Sequence, residues 1–201
     1  MELHDALARI SEIRSSIAQA ETFRGYRSST TGATSVIGFA GAGLQVLLFP
    51  EPHAHVAGWL TLWVGVGAVS VLMTALGLTL RFRRSTCRMT RELTLLAVKQ
   101  FAPTLVAGGL LTLVLVRHAP QTMWMLPGLW AILMSLGVFA SCRLLPRPAM
   151  LIAIWYLVTG TLCLAFGQGA FAYSPWAMIV TFGLGQLLAA VILFLTLERQ
   201  S

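Results

Sequence analysis

VAGWLTLWVGVGAVSVLMTALGLTLRFRR, residues 56–84, decides the fold class. Residues 56–80 carry no charge, and three of the next four side chains are arginine. A helix needs about 20 largely apolar residues to cross a bilayer, because without water every backbone N–H and C=O must be satisfied inside the helix itself. This stretch is long enough to span, and its arginines stop it at one face.

Working outward, the same criterion selects six spans: 31–49, 56–80, 101–116, 123–142, 149–167 and 176–197. Composition agrees. The chain is 57% hydrophobic and 10% charged, with a mean hydropathy of +0.78, whereas about a quarter of the residues of a soluble domain are charged. A net charge of +7 and a pI near 10.4 would suit nucleic acid only if the basic groups shared one exposed face. They stand instead at the ends of apolar runs, so no nucleic-acid partner is expected. The third span is the shortest. A span that began near Leu93 would take in Lys99 and Gln100 and be kinked by Pro103; the favoured reading is an interfacial stretch, residues 88–100, that runs into the bilayer, with Lys99 snorkelling to the surface.

Orientation follows from the loops, since short loops rich in Lys and Arg stay in the cytoplasm. Thirteen of the fourteen Lys and Arg residues lie before span one, between spans two and three, between four and five, or after six. The alternate loops hold Arg117 alone. Both termini are therefore placed in the cytoplasm, with a bacterial inner membrane as the expected location. Each outer turn contains Pro, and Trp59, Trp124 or Trp176 stands near the outer start of the returning span. An interfacial aromatic belt accounts for this pattern as well as a triplicated two-helix unit does.

The first thirty residues lack the charged start and short apolar core of a cleavable signal peptide, so span one is expected to act as its own insertion signal. Leu3, Leu7, Ile10, Ile13, Ile17, Ala20 and Phe23 form one stripe of a helix. Four acidic residues against two arginines over residues 1–22 make this helix acidic, and a helix that lies on anionic lipid should be basic. Its stripe is expected to meet protein through residues 3–23: a second copy, its own bundle or another subunit. Arg24 and Arg27 hold the entrance of span one in the cytoplasm, and Phe23 and Tyr26 suit the headgroup layer. Gly25 is placed at the helix end, leaving RSSTTG, residues 27–32, as an elbow.

Little chemistry is written inside the spans. No ionisable side chain falls within them apart from Lys99 at the edge, which argues against a proton relay, a charge-coupled pump or a midplane site for charged substrate. Gln45, Gln100 and Gln186 read as hydrogen-bonding glue between helices. In the outer loops His53 and His55, two apart in an extended segment, point the same way and with His118 form a candidate metal set, although solvated loop histidines are the simpler reading. A haem would need histidines on facing spans, and no cofactor is expected. Arg81, Arg83, Arg84 and Arg88, interleaved with hydroxyls, form with Arg24, Tyr26 and Arg27 a candidate surface for an anionic group or a partner, beside their stop-transfer role. Gly67, Ser70, Thr74 and Gly77 on span two, and Gly38 and Ala42 on span one, mark helix-packing seams. Cys87, Cys142 and Cys163 show no C-x-x-C spacing, and no H-E-x-x-H, G-x-S-x-G or P-loop motif is present.

The chain is thus expected to be an all-α polytopic membrane protein, a six-transmembrane-helix bundle (31–201) preceded by an N-terminal cytoplasmic amphipathic helix and elbow (1–30). The expected function is non-enzymatic: a membrane subunit or signalling component that docks partners through the cytoplasmic helix and the arginine loop. The alternative is a transporter component for a small neutral or apolar solute, working with a separate energising subunit.

Overall fold

The structure, a computed structural model, describes residues 28–84, 88–141 and 148–198. The amphipathic helix expected over residues 3–23, and Arg24, Tyr26 and Arg27, lie outside the described residues. Within them the chain is all-helical, with no strand, and six helices are long and apolar enough to cross a membrane. These are α1 (Ser28–Leu48), α2 (Val56–Arg84), α3 (Arg88–His118), α4 (Leu126–Ala140, extended at its start by a 3₁₀ turn, Pro120–Met125), α5 (Ala149–Phe166) and α6 (Pro175–Thr196).

Three boundaries differ from the sequence reading, each for a local reason. Residues 28–32 are not an elbow but the first turns of α1. Thr30 packs where a Gly77 side chain would stand, 3.7 Å away, and Thr34 donates to the Thr31 carbonyl at 2.7 Å, so packing on α2 overrides the turn-forming composition. Helix α3 stays continuous through Pro103, and its membrane-length part, Val98–His118, takes in Lys99, whose side chain is exposed. The fourth span starts at Pro120, where proline needs no N–H in the first turn and Thr122 closes that turn onto the Ala119 carbonyl.

Neighbouring helices follow the order α3, α4, α5, α6, α1, α2, while α2 and α3 themselves barely meet. The closest pairs, α4 with α5 and α1 with α6, join different hairpins. Glycine makes both approaches possible. A Cβ on Gly128 would stand 2.7 Å from the Gly160 carbonyl, and one on Gly160 would stand 2.9 Å from the Gly128 carbonyl. At the other crossing a Gly38 Cβ would lie 3.6 Å from the Gly183 Cα. Apolar side chains gather into two clusters. One lies among Trp59, Trp63, Met123, Leu126, Tyr173 and Met178 at the hairpin end, where the turns 49–55, 119–125 and 167–174 meet. The other joins Ala131, Ile152, Tyr156, Ala189 and Ile192 deeper in the bundle. The three tryptophans of the returning spans are not equivalent. Trp176 is 70% exposed, as an interfacial ring should be, but Trp59 is wholly buried as the centre of the first cluster.

Candidate functional site

Two polar constructions stand out in this apolar chain. At the hairpin end the Gln45 amide, on α1 and 1% exposed, joins three elements. Its Nε2 donates to the Tyr173 carbonyl at 2.8 Å, and its Oε1 accepts from Trp63 Nε1 of α2 at 2.7 Å. Tyr173, in the turn before α6, has a φ of 62°, a left-handed conformation that a bulky residue keeps only when its surroundings hold it there. The surroundings are aromatic. The Tyr173 ring meets Trp59 edge-on at 5.0 Å and His53 at 5.7 Å, and Trp59 lies parallel to Trp130 of α4 at 6.3 Å. Burial pushes the Tyr173 phenol above its ordinary pKa. Beside His53 the 50–54 turn, with Ala172, Ser174 and Pro175, lines a shallow depression of about 500 Å³.

The histidine set expected from the sequence is not assembled. Segment 51–55 is a hydrogen-bonded turn, Ala54 N–H to the Glu51 carbonyl and His55 N–H to the Pro52 carbonyl, so residues two apart do not share a direction. His53 accordingly turns to Tyr173 and His55 to Phe49, while His118 ends α3. Among the described residues no group of three His, Cys, Asp or Glu is placed to hold a metal ion.

The second construction lies where α1, α5 and α6 cross. Helix α6 is interrupted by a π turn over Ile179–Gly183, in which the Leu184 N–H reaches back five residues to the Ile179 carbonyl. A second π turn, Phe194–Glu198, follows the regular stretch Leu184–Leu193. Wider π turns leave carbonyls poorly matched inside the helix, and here side chains from two other helices reach them. Trp155 Nε1 of α5 donates to the Val180 carbonyl at 3.0 Å, and Ser35 Oγ of α1 donates to the Gly183 carbonyl at 2.8 Å. One turn further along, Thr34 Oγ1 lies 3.1 Å from Gln186 Oε1, so its one proton is shared between that amide oxygen and the nearer Thr31 carbonyl at 2.7 Å. On the facing α4 the wholly buried Ser135 hydroxyl has no hydrogen-bond partner. All of these groups are uncharged, so the seam offers hydrogen bonds to neutral groups.

Of the seam residues named from the sequence, Gly38 lies at the α1–α6 crossing and Ala42 in the hairpin-end cluster. Gly77 faces Thr30, whereas Gly67 faces open space, with nothing within 4 Å of a Cβ built there. Ser70 and Thr74 donate within α2, to the Val66 and Ser70 carbonyls, rather than across to a neighbour. Arg83 is exposed, and the side chains of Arg81, Arg84 and Arg88 lie outside the described set. Sequence reasoning missed Ser35, Trp63, Trp155 and Tyr173. For Trp63 and Trp155 the available signal was an indole N–H deep within a span, a donor that must find an acceptor when buried. No family model, curated protein or solved structure matches this chain. The functional reading therefore rests on the molecule's own geometry.

Proposed function

We propose that this chain is a non-catalytic, multi-pass membrane subunit that works by lateral association with other membrane helices. One observation carries the reading: the six helices are unequally used. A third or more of the apolar window of α1, α4, α5 and α6 is buried, against 11% for α2 and 0% for α3. The four well-packed helices supply most of the core, α2 enters it through Trp59 and Trp63, and α2 and α3 leave Gly65, Gly67 and Gly109 open. Lipid accepts such a face, but glycine is a poor choice for it, because it weakens a helix by about 1 kcal/mol relative to alanine and is favoured where another helix backbone comes close. In this reading residues 3–23, with their apolar stripe in sequence, and the arginine loop extend the docking surface into the aqueous phase. The test is extraction into polymer-bounded discs that keep the native lipid and neighbours, followed by mass measurement. Discs that hold more protein than one 21.8 kDa chain support the reading, and discs that hold single chains overturn it.

A second reading, a transporter component for a small neutral or apolar solute, draws on the uncharged α1–α6 seam of Thr34, Ser35 and Gln186 and on the buried, unpartnered Ser135 hydroxyl of α4. Uptake of neutral solutes into vesicles tests it, and it fails if no solute enters faster than into empty vesicles.

A further inference from the structure

We propose that the π turn of α6 is a movable register element, latched by Trp155 and Ser35, whose displacement opens the seam between α1 and α6. The inference uses the membrane setting but not the docking role, so it stands if the chain proves to be alone in its disc.

Most hydroxyls in the spans satisfy themselves. Thr61, Ser70, Thr74, Thr112, Thr159 and Thr181 donate to the carbonyl four residues earlier in their own helix. Ser35 instead reaches across to Gly183, and the Trp155 indole reaches across to Val180. Both acceptors belong to the π turn. Where no water is available, a carbonyl released by a π turn must be met by a neighbouring donor, so the positions of these two donors determine where along α6 the extra residue sits.

The present position places a glycine at the close crossing of α1 and α6. Gly183 lies at the crossing with Gly38, and a Cβ there would already be 3.0 Å from the Phe39 ring. Sliding the π turn toward the carboxyl end rotates the residues it passes by about 100°, one residue's share of a helix of 3.6 residues per turn. Phe182 would then face Gly38 in place of Gly183, and its ring does not fit where a Gly38 Cβ would stand only 3.6 Å from the Gly183 Cα. The same shift takes Gln186 away from Thr34 and brings Gly185, which offers no side chain, into its place. One latch thus controls whether the seam is closed by glycine contact or held apart by side chains.

Amide hydrogen exchange of the full chain in lipid discs, read peptide by peptide, tests the latch. Trp155→Phe and, separately, Ser35→Ala should each speed exchange over residues 179–186 by about tenfold, the factor that follows from one lost hydrogen bond of ordinary strength, and leave α4 unchanged. Trp130→Phe is the control, since its indole donates to Thr112 at 2.9 Å, away from α6. It should leave residues 179–186 as in the parent chain. Equal exchange in parent and both variants overturns the proposal, and so does acceleration spread evenly over all spans, which would mean that these side chains only pack. Should Trp155→Phe fail to assemble, the smaller change Ser35→Ala decides alone.

Discussion

Gln45 shows how much one side chain can hold in a setting without water. Its replacement by leucine, close in volume, removes the acceptor of Trp63 Nε1 and the donor to the Tyr173 carbonyl together. A buried polar group left unpaired costs about 1–3 kcal/mol, so Gln45→Leu should destabilise the chain by roughly that amount or more, read as an earlier midpoint in detergent-driven unfolding. Gln186→Leu, which interrupts the single contact with Thr34, should cost less. The sequence shows Gln45 as an amide with no aqueous partner and hence a hydrogen bond across helices, but not which one, because its partners stand 18 and 128 residues away. Tyr173 adds a pH dependence. Burial raises its pKa above the ordinary 10.0, so the folded chain favours the neutral phenol. That contribution is complete below about pH 10 and is lost as pH rises through the raised value. Alkaline unfolding should therefore steepen above pH 10 in the parent chain and be shallower in Tyr173→Phe, as followed by tryptophan fluorescence.

At the scale of the helix, length and hydropathy were legible and hydrogen-bond register was not. Long uncharged runs bounded by arginine or proline locate helices because lipid admits little else. The stretch IVTFG carries no local mark of a π turn, since the turn is determined by donors on α1 and α5, far away in sequence. The first turns of α1 were misread for a related reason: Ser, Thr and Gly favour a turn locally, and packing against α2 keeps them helical. Glycines separate the tight approaches from the loose ones. Gly128→Ala or Gly160→Ala places a methyl against the opposite helix's carbonyl, and each should cost about 1–3 kcal/mol, the usual penalty of overpacking. Gly43→Ala, in open space on α1, should be neutral or stabilising by up to about 1 kcal/mol through helix propensity. Equal unfolding midpoints for all three variants would mean that α4 and α5 do not cross at these glycines.

For the whole molecule, the sequence carried the six-helix class, whereas the neighbour order did not follow from it: small residues mark where a helix is approached without naming what approaches. Gly67 shows the distinction. It belongs to the row Gly67, Ser70, Thr74, Gly77, yet Gly77 meets Thr30 of α1 while Gly67 is left facing outward. A helix face of this kind has two states, against lipid or against another helix, and a large side chain discriminates between them. Gly67→Leu adds volume where the isolated chain has no atom within 4 Å, so its unfolding in detergent should match the parent within about 0.5 kcal/mol, as expected for a surface substitution. If a second helix packs closely there in the membrane, the same leucine forces the backbones apart. Protein mass per native disc should then fall toward that of one chain. Unchanged disc mass with Gly67→Leu would show that α2 associates through another face or faces lipid throughout. An unfolding midpoint that drops in detergent would show that Gly67 is packed within the chain after all.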